Sequence, residues 1–382
     1  MNRRPRPRKE RGHSRVGDRF EAVVGPVAHG GHCIVRLPAP ESRVVFTRHA
    51  LPGERVVVEI TEGTDGDRFW RGDVVSVLDD SPDRVAAPCA VAGPGLCGGC
   101  DFQHVTLPSQ RALKAAVVSE QLRRLAGLEL AVEVEAVPGD EDGLRWRTRM
   151  QWATASTGLR GLRAHRSRRV VPVDDCLIAQ ISAREPTPGP VIVETVLGVD
   201  FLVEPDGFWQ VHPGAPAVLV STVLSLLSPQ PGERVLDLYA GVGLFARFLA
   251  DAVGPAARVV MIEGDRKASQ HATENLASHA GAVVECGSVD RVLAAAYDET
   301  FDLVVLDPPR EGAKRTVVEQ VVARAPRAVA YVACDPAALA RDVAIFAEHG
   351  YRLETIRAFD LFPMTHHVEC VALLTRSGPD AN

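Results

Sequence analysis

Short runs in which apolar and polar positions alternate occupy the first eighty residues of the chain and predict β-strands. Turn residues such as Gly30-Gly31 and Pro52-Gly53 separate five such runs, which read FEAVVGPV, HCIVRL, RVVFTRHA, RVVVEITE and FWRGDVVSVL. Runs of this length, bounded by glycine and proline, are typical of strands joined by tight connections. Five short strands suit a small OB-like β-barrel, which we expect over residues 16–80.

The apolar pattern changes from about Ser221 onward, where strand-like runs alternate with helical ones. Continuous apolar segments such as RVLDLYA and FDLVVLDPPR are each followed by a stretch with helical spacing. This alternation predicts a doubly wound, Rossmann-like α/β domain, which we place at residues 206–382. Between the two domains, residues 81–205 predict a central α+β domain, whose helix at 108–125 is expected to pack on the catalytic domain.

The length and composition are those of a globular protein with two or three domains. The chain has 382 residues, of which 46% are hydrophobic, and no apolar run approaches the roughly 18 residues of a membrane span. The N-terminus lacks the apolar segment of a signal peptide. We therefore expect a cytoplasmic protein that does not enter membranes and is a monomer.

Charge is distributed unevenly along the chain. The net charge is −6, yet residues 1–15 carry seven Lys or Arg and are expected to be a disordered basic tail. Residues 145–169 carry eight Arg and no acid, interleaved with Trp146, Trp152 and His165. Arginine and aromatic side chains stack on splayed bases, so this strip and the barrel predict an RNA partner.

The segment VLDLYAGVGLF, Val235 to Phe245, is a strand that runs into a glycine turn around Gly241 and then a helix. A glycine turn alone would also suit a nicotinamide cofactor. Asp237 would repel a pyrophosphate, whereas it suits the ammonium and sulfonium groups of S-adenosylmethionine (SAM). Glu263 ends the next strand, where a carboxylate accepts ribose hydroxyls. SAM is therefore the predicted cofactor, although a turn acid that caps the helix is the alternative for Asp237.

Three further segments follow predicted strands, at the edge where this fold builds its sites. They are DPPR at Asp307–Arg310, ACDP at Ala333–Pro336 and PMTHHVEC at Pro363–Cys370. The thiol of Cys334 precedes a helix start, which favours a nucleophilic thiolate. Addition of a thiolate to C6 of uracil activates C5 for methylation, and Glu369 is the candidate base that then removes the C5 proton. His366 and His367 are the alternatives for the base, although we expect them rather to orient or pack.

Taken together, these motifs resemble the RNA uracil-5-methyltransferase family. The resemblance spans residues 16–376 and includes FWQVH at Phe208–His212 and YVACDPAALARD at Tyr331–Asp342. It implies a TRAM-type barrel, a class I SAM methyltransferase domain and 5-methyluridine formation. It also implies that Cys334 is the nucleophile and Glu369 the proton acceptor, and that the SAM and uracil pocket is lined by Gln210, Tyr239, Glu263 and Asp307.

Four cysteines form a second candidate site in the central domain. Cys89, Cys97 and Cys100 have the spacing C-x7-C-x2-C, and Cys176 follows later. Four thiolates can hold either a [4Fe–4S] cluster or zinc, and the spacing does not separate the two. The family resemblance favours [4Fe–4S].

Two residues depart from the family pattern. Asp335 follows the candidate nucleophile where asparagine is common, and Ser288 stands where an acid or amide usually meets the adenine, so that Asp290 is a candidate substitute. The barrel and cysteine cluster favour the 23S rRNA branch over the transfer-RNA branch. The alternatives are an amino-methyltransferase, which Arg310 in DPPR disfavours, and a catalytically silent RNA-binding module.

Overall fold

The computed structural model describes residues 12–376, which form two compact units. The first unit comprises the chain up to Leu113 together with Trp152–Cys176 and Met364–His366. The second comprises Lys114–Gln151, Leu177–Pro363 and the chain from His367 onward. The segment 81–205, predicted as a separate central domain, is divided between these two units.

Five strands close into a barrel in the first unit, as the alternating pattern predicts. They are β1 (Arg19–Ala28), β2 (His32–Arg36), β3 (Val44–Arg48), β4 (Arg55–Glu62) and β5 (Phe69–Asp79), in the order β1-β2-β3-β5-β4. Val35, Val56, Val58 and Trp70 fill the interior. Where β5 crosses β4, a Cβ on Gly72 would lie 2.6 Å from Val58, so only glycine fits there.

The basic tail ends earlier than expected. Ser14 forms a β-bridge with Thr64, and the Arg15 N–H donates to the Gly63 carbonyl at 3.0 Å. Gly12–Arg15 therefore belongs to the first unit, because these backbone groups are paired with the barrel. The rest of the predicted tail, residues 1–11, lies outside the described residues.

The remainder of the first unit contains a small antiparallel sheet. Its strands are β8 (Ala153–Thr154), β9 (Arg160–Arg163) and β10 (Val170–Pro172), in the order β10-β9-β8. A β-bridge from Cys97 to Ala164 ties the cysteine-bearing segment to this sheet. The sheet and the cysteines are thus parts of the same unit.

An eight-stranded sheet forms the centre of the second unit, with the order β16-β15-β14-β17-β18-β20-β19-β6. Its strands are β6 (Val134–Glu135), β14 (Val235–Leu238), β15 (Val259–Glu263), β16 (Ala282–Cys286), β17 (Leu303–Leu306), β18 (Ala328–Ala333), β19 (Tyr351–Phe359) and β20 (Glu369–Arg376). The strands β14 to β18 are parallel, and β20 pairs antiparallel with both β18 and β19. Continuous apolar runs such as Leu303–Leu306 are buried throughout, as strands covered on both faces must be.

Helices cover the two faces of this sheet. They are α2 (Ala215–Leu227), α3 (Leu244–Val253), α4 (Arg266–Asn275), α5 (Val289–Ala295), α6 (Lys314–Ala323) and α7 (Pro336–Glu348). The helix predicted at 108–125 is α1 (Leu107–Gln121), continued by one π-helical turn at Leu122–Ala126. Val118 and Leu122 pack in the core of the second unit. No helix among the described residues is long and apolar enough to cross a membrane.

Two smaller pairs of strands complete the second unit. They are β7 (Arg147–Arg149) with β11 (Ala179–Arg184), and the hairpin β12 (Ile192–Val196) with β13 (Val199–Val203). The hairpin packs through Val196, Phe201 and Val203 into the same core as α2 and α3. It therefore places the segment that follows it, which carries Gln210, next to the sheet.

Candidate active site

The glycine turn after β14 is shaped by two residues in left-handed conformations. Gly241 has φ 56° and Gly243 has φ 86°, which glycine adopts without strain. A Cβ on Gly243 would lie 2.6 Å from Leu276, so the turn and α3 approach the neighbouring helix closely. The turn lies at the carboxyl end of β14, and Gly241 and Val242 line the cavity described below.

The carboxylate of Glu263 holds this turn. One oxygen accepts the N–H of Gly241 at 2.8 Å, and the other accepts the N–H of Asp265 at 2.6 Å. Each oxygen keeps a free lone pair, because a carboxylate oxygen accepts more than one hydrogen bond. Glu263 can therefore support the loop and still accept hydroxyl groups of a ligand.

Asp237 does not face the cofactor region in the way the sequence suggested. Its side chain is fully buried, and one oxygen accepts the N–H of Ala246 in the first turn of α3 at 2.9 Å. The helix-capping alternative thus describes its contact. The other oxygen has no hydrogen-bond partner, and burial raises the pKa of the carboxyl to about 8.

Cys334 and Glu369 come together through strand pairing. Ala333 of β18 is the cross-strand partner of Cys370 in β20, so the next step of the antiparallel register sets Cys334 opposite Glu369. Burial, followed by the charge of Glu369, raises the pKa of the Cys334 thiol to about 12, although Arg310 lowers it in part. The thiol is therefore protonated at neutral pH in the ligand-free protein.

The acid that follows the thiol is turned towards the helix. Asp335 is the N-cap residue of α7, and its carboxylate accepts the N–H of Ala338 at 2.8 Å. An N-cap acid stabilises a helix start. Among the charges that raise the pKa of Cys334, Asp335 ranks after Glu369 and Asp307, so the unusual residue at this position is accommodated.

Two more carboxyl groups near the thiol also have raised pKa values. Burial raises the pKa of Asp307 to about 7, and Glu263 adds to the shift. Glu369 is 3% exposed, and its burial, followed by the charge of Asp307, raises its pKa well above the usual range. Asp307 therefore exchanges its proton near neutral pH, and Glu369 holds a proton more strongly than an ordinary carboxyl group, as a group that takes up a proton in a reaction does.

The seven residues expected to act on the cofactor and the base all line one cavity of about 1120 Å³ in the second unit. They are Gln210, Tyr239, Gly241, Glu263, Asp307, Cys334 and Glu369. The cavity also contains residues that the sequence did not single out as pocket-lining, notably Phe208, Phe362 and Arg310. Arg310 stood in the quoted DPPR motif, whereas no sequence signal distinguished Phe362 from an ordinary core aromatic.

The cavity suits SAM by its chemistry as well as its size. The Glu263 and Asp307 carboxyl groups lie on its wall, together with the apolar rings of Phe208 and Phe362. Ser288 also lines the cavity, and its hydroxyl bonds to the carboxylate of Asp290. A ligand with a ribose and a positive charge fits such acidic, partly apolar walls.

The four cysteines predicted as a cluster site all lie in the first unit. Cys97, Cys100 and Cys176 are buried and Cys89 is half-buried. Burial, with a smaller contribution from the charges of Cys176 and Cys97, raises the pKa of Cys100 to about 12, although the hydrogen bond from Gln103 lowers it in part. In the described chain, however, no three His, Cys, Asp or Glu side chains are arranged to hold a metal ion.

The arginine-rich strip is only partly available for nucleic acid. Trp146 is 3% exposed and stacks on His212, so it cannot stack on a base. In the small sheet of the first unit, Arg160 lies over the ring of Trp152 at 3.5 Å from the centroid. The other exposed arginines of the strip within this unit are Arg163, Arg166, Arg168 and Arg169.

Known proteins confirm the family resemblance. The family model for tRNA (uracil-5-)-methyltransferase matches residues 217–377, and the TRAM domain model matches residues 13–75. An uncharacterized RNA methyltransferase of Streptomyces avermitilis is 44% identical, and the alignment covers 94% of this chain and 98% of the relative. The chain belongs to the RNA uracil-5-methyltransferase family. It is thus an enzyme, a SAM-dependent RNA methyltransferase with a TRAM domain.

Two further comparisons agree with this family. The 23S rRNA (uracil(1939)-C(5))-methyltransferase RlmD of Chromohalobacter salexigens is 30% identical over 98% of this chain and 94% of its own. The solved structure of Pyrococcus abyssi tRNA (uracil-54, C5)-methyltransferase, in complex with S-adenosyl-L-homocysteine, is similar with a TM-score of 0.69. That likeness covers 93% of this chain and 100% of the other at 22% identity, and shows the shared methyltransferase fold.

The buried carboxyl of Asp237 predicts a pH dependence of stability. Its pKa in the folded protein is about 8, above the ordinary value of 3.8, so the folded state holds a proton that the unfolded state releases. Between about pH 4 and 8 this group therefore lowers the free energy of unfolding, by up to about 1.4 kcal/mol per pH unit. Asp237→Asn, which keeps the acceptor for Ala246, should flatten that slope in denaturant unfolding. An unchanged slope would show that Asp237 is ionised in the fold.

The high pKa of Cys334 predicts slow alkylation. In the RNA-free enzyme, modification of Cys334 by iodoacetamide should accelerate continuously from pH 7 to 10, because a thiol with a pKa of about 12 gains thiolate throughout that range. Arg310→Met should slow it further, since Arg310 lowers this pKa. Peptide mass spectrometry measures the rate, with the exposed Cys286 as internal control. A plateau of the Cys334 rate near pH 8 would contradict the expectation.

Proposed function

We propose that this enzyme methylates C5 of a uridine in 23S rRNA. The observation that carries the proposal is that Cys334 and Glu369 line the same cavity as the glycine turn of β14. A thiol nucleophile and a buried carboxyl base, set opposite each other, are the two groups that C5 methylation requires. An amino-methyltransferase would need neither group.

The residues support the following sequence of bonds. The Cys334 thiol releases its proton to solvent and its sulfur bonds to C6 of uracil, so that the electron pair of the C5–C6 double bond becomes available at C5. SAM, when bound, supplies the methyl group that C5 takes up. Glu369, as a carboxylate, accepts the C5 proton, and the electron pair of that C–H bond restores the C5–C6 double bond and expels the thiolate. The proposed partners of SAM are the other predicted residues that line the cavity, Gln210, Tyr239, Gly241, Glu263 and Asp307.

Arg310 has a role in the first of these steps. Its positive charge lowers the pKa of Cys334 and also that of Glu369. The guanidinium lies 3.2 Å from the ring nitrogen Nε2 of His367, which helps to orient it. Arg310 thus favours the charged forms of both reacting groups, which burial by itself disfavours.

The RNA partner is supported by the first unit. The OB-like order of the barrel, and the match of residues 13–75 to the TRAM domain, favour binding of an oligonucleotide. The exposed arginines of the small sheet add positive charge for phosphates. The 23S rRNA is favoured over transfer RNA by the RlmD relatives at 29% and 30% identity. The target base must leave its stack to reach the cavity.

The cytoplasmic location and the monomeric state of the protein remain predictions.

We also propose that Cys89, Cys97, Cys100 and Cys176 hold a [4Fe–4S] cluster, with zinc as the alternative. What supports it is the donor set, four thiols that influence one another electrostatically within one unit. Gln103 donates to the Cys100 sulfur at 3.3 Å and accepts the N–H of Cys89 at 3.0 Å, which holds two of these segments together. Such a cluster would serve to shape the first unit.

Loss of the nucleophile tests the proposed reaction. Cys334→Ala should reduce transfer of labelled methyl groups from SAM to unmodified RNA by at least about 10⁴-fold, because no other side chain can form the bond to C6. It should also abolish the covalent complex that the unaltered enzyme forms with RNA containing 5-fluorouridine. Cys286→Ala is the matched control, since this thiol is exposed and outside the cavity. Residual activity of Cys334→Ala would refute the assignment of Cys334 as the nucleophile.

The RNA target is identified by a separate measurement. Mapping of 5-methyluridine in rRNA and tRNA from a strain that lacks the enzyme shows which uridine loses its methyl group.

Metal analysis tests the cysteine site. Protein purified without oxygen should contain about four iron atoms and absorb near 400 nm, features of a [4Fe–4S] cluster. Cys100→Ser or Cys176→Ser should lose most of the iron, whereas Cys286→Ser should keep it. Stoichiometric zinc without iron would replace the cluster by the zinc alternative, and a metal-free, folded protein would remove the proposal.

A further inference from the structure

Two of the buried polar side chains of helix α1, Gln110 and Lys114, have no part in the reaction described above. Gln110 is 0% exposed and Lys114 is 1% exposed. They are four residues apart and therefore point to the same side of the helix. Because a buried amide or ammonium group costs free energy unless it is paired, their partners indicate what this side of the helix does.

Lys114 holds the end of β19 and the residues that follow it. Its ammonium donates to the carboxylate of Asp360 at 2.5 Å and to the carbonyl of Phe362 at 3.0 Å. Asp360 is itself buried, and its N–H donates to the carbonyl of Glu135 at 2.8 Å. The side chain of Lys114 thus fixes both the start of the turn and the backbone of a residue that lines the cavity.

Gln110 holds the next part of the same connection. Its carbonyl oxygen accepts the N–H of Met364 at 2.8 Å, and its amide group donates to the carbonyls of Phe102 at 3.1 Å and Val105 at 2.9 Å. The Met364 carbonyl in turn accepts the N–H groups of Asp101 and Phe102, each at 2.9 Å. The backbone of Met364 is therefore fixed on both sides of its α-carbon.

The connection that these two side chains hold leads directly to the proposed base. It joins β19 to β20, and β20 begins at Glu369. Phe359 and Glu369 are cross-strand partners, so the connection from β19 to β20 starts and ends at one pair of facing residues. The ring of Phe362, which lines the cavity, packs edge-on against His367 with centroids 5.8 Å apart.

We propose that Gln110 and Lys114 are positioning residues for methyl transfer. They hold the turn Asp360–Met364 so that the Glu369 carboxylate stays within reach of the C5 proton and Phe362 stays on the cavity wall. This inference rests on the proposed function, because it assigns a role in the step that Glu369 performs. Helix α1 would thus contribute to the removal of the C5 proton, although it lies outside the glycine turn after β14.

A purely stabilising role predicts a different outcome from a positioning role. A buried ion pair contributes little net stability, and its replacement by apolar residues of similar size is often neutral or stabilising. The double variant Lys114→Met/Asp360→Leu is therefore expected to fold, and to lose the hydrogen bond to the Phe362 carbonyl. Gln110→Met is the second variant, since it keeps the side-chain length and removes the bond to Met364.

The experiment follows the fate of labelled methyl groups on RNA extracted from a strain lacking the enzyme. We expect kcat to fall about 100-fold in both variants, the loss typical of small misplacements of a reacting group, with KM for SAM unchanged. Because C5 proton removal is the impaired step, a methylated protein–RNA adduct that survives SDS should accumulate on ordinary uridine. Glu369→Gln is the positive control for that adduct. Arg315→Met/Glu348→Leu removes an exposed ion pair elsewhere and is the matched control.

Three results would overturn the inference. One is a kcat within twofold of the unaltered enzyme in both variants. Another is a loss of activity without any adduct while Glu369→Gln accumulates it, which would leave the proposed function intact. The third is that the unaltered enzyme transfers no labelled methyl groups and the Glu369→Gln variant forms no adduct. This result would remove the proposed function and this inference with it.

Discussion

Antiparallel pairing of the last strand with β18 is the constraint on which the candidate site depends. The sheet up to β18 is parallel, and a further parallel strand would bring another carboxyl end to the same edge. Because β20 runs the opposite way, its first residue, Glu369, lies where β18 ends and Cys334 follows. A nucleophile and a base that are 35 positions apart in sequence, at 334 and 369, thereby become neighbours without a long loop.

The electrostatics of the cavity follow from the same arrangement. Asp237, Asp307 and Glu369 are carried on or next to strands buried on both faces, so their carboxyl groups are desolvated and their pKa values rise. Arg310 is the nearby cation that opposes this effect at Cys334 and Glu369. In the ligand-free site these carboxyl groups therefore hold their protons more strongly than usual. Binding of a positively charged methyl donor would favour release of those protons.

The two units carry different chemical parts of the proposed function. The second unit contains the cavity and every residue proposed to meet SAM or the reacting base. The first contains the barrel, the small arginine-rich sheet and the four cysteines. The chain passes between the units several times, and the segment 81–205 contributes to both of them. Local strand and helix patterns do not reveal which distant segments pack together.

The sequence by itself determined the element types and the chemical groups. Alternating patterns predicted the five barrel strands, and continuous apolar runs predicted the parallel strands. The motifs, with the family resemblance that they carry, named seven residues that line one cavity. The tertiary structure decided what each group contacts. It turned Asp237 and Asp335 towards helix N-termini, buried Trp146 against His212, and set Lys114 and Gln110 under the turn before Glu369. The reason is that burial and hydrogen-bond partners arise between segments far apart in sequence, which local periodicity does not encode.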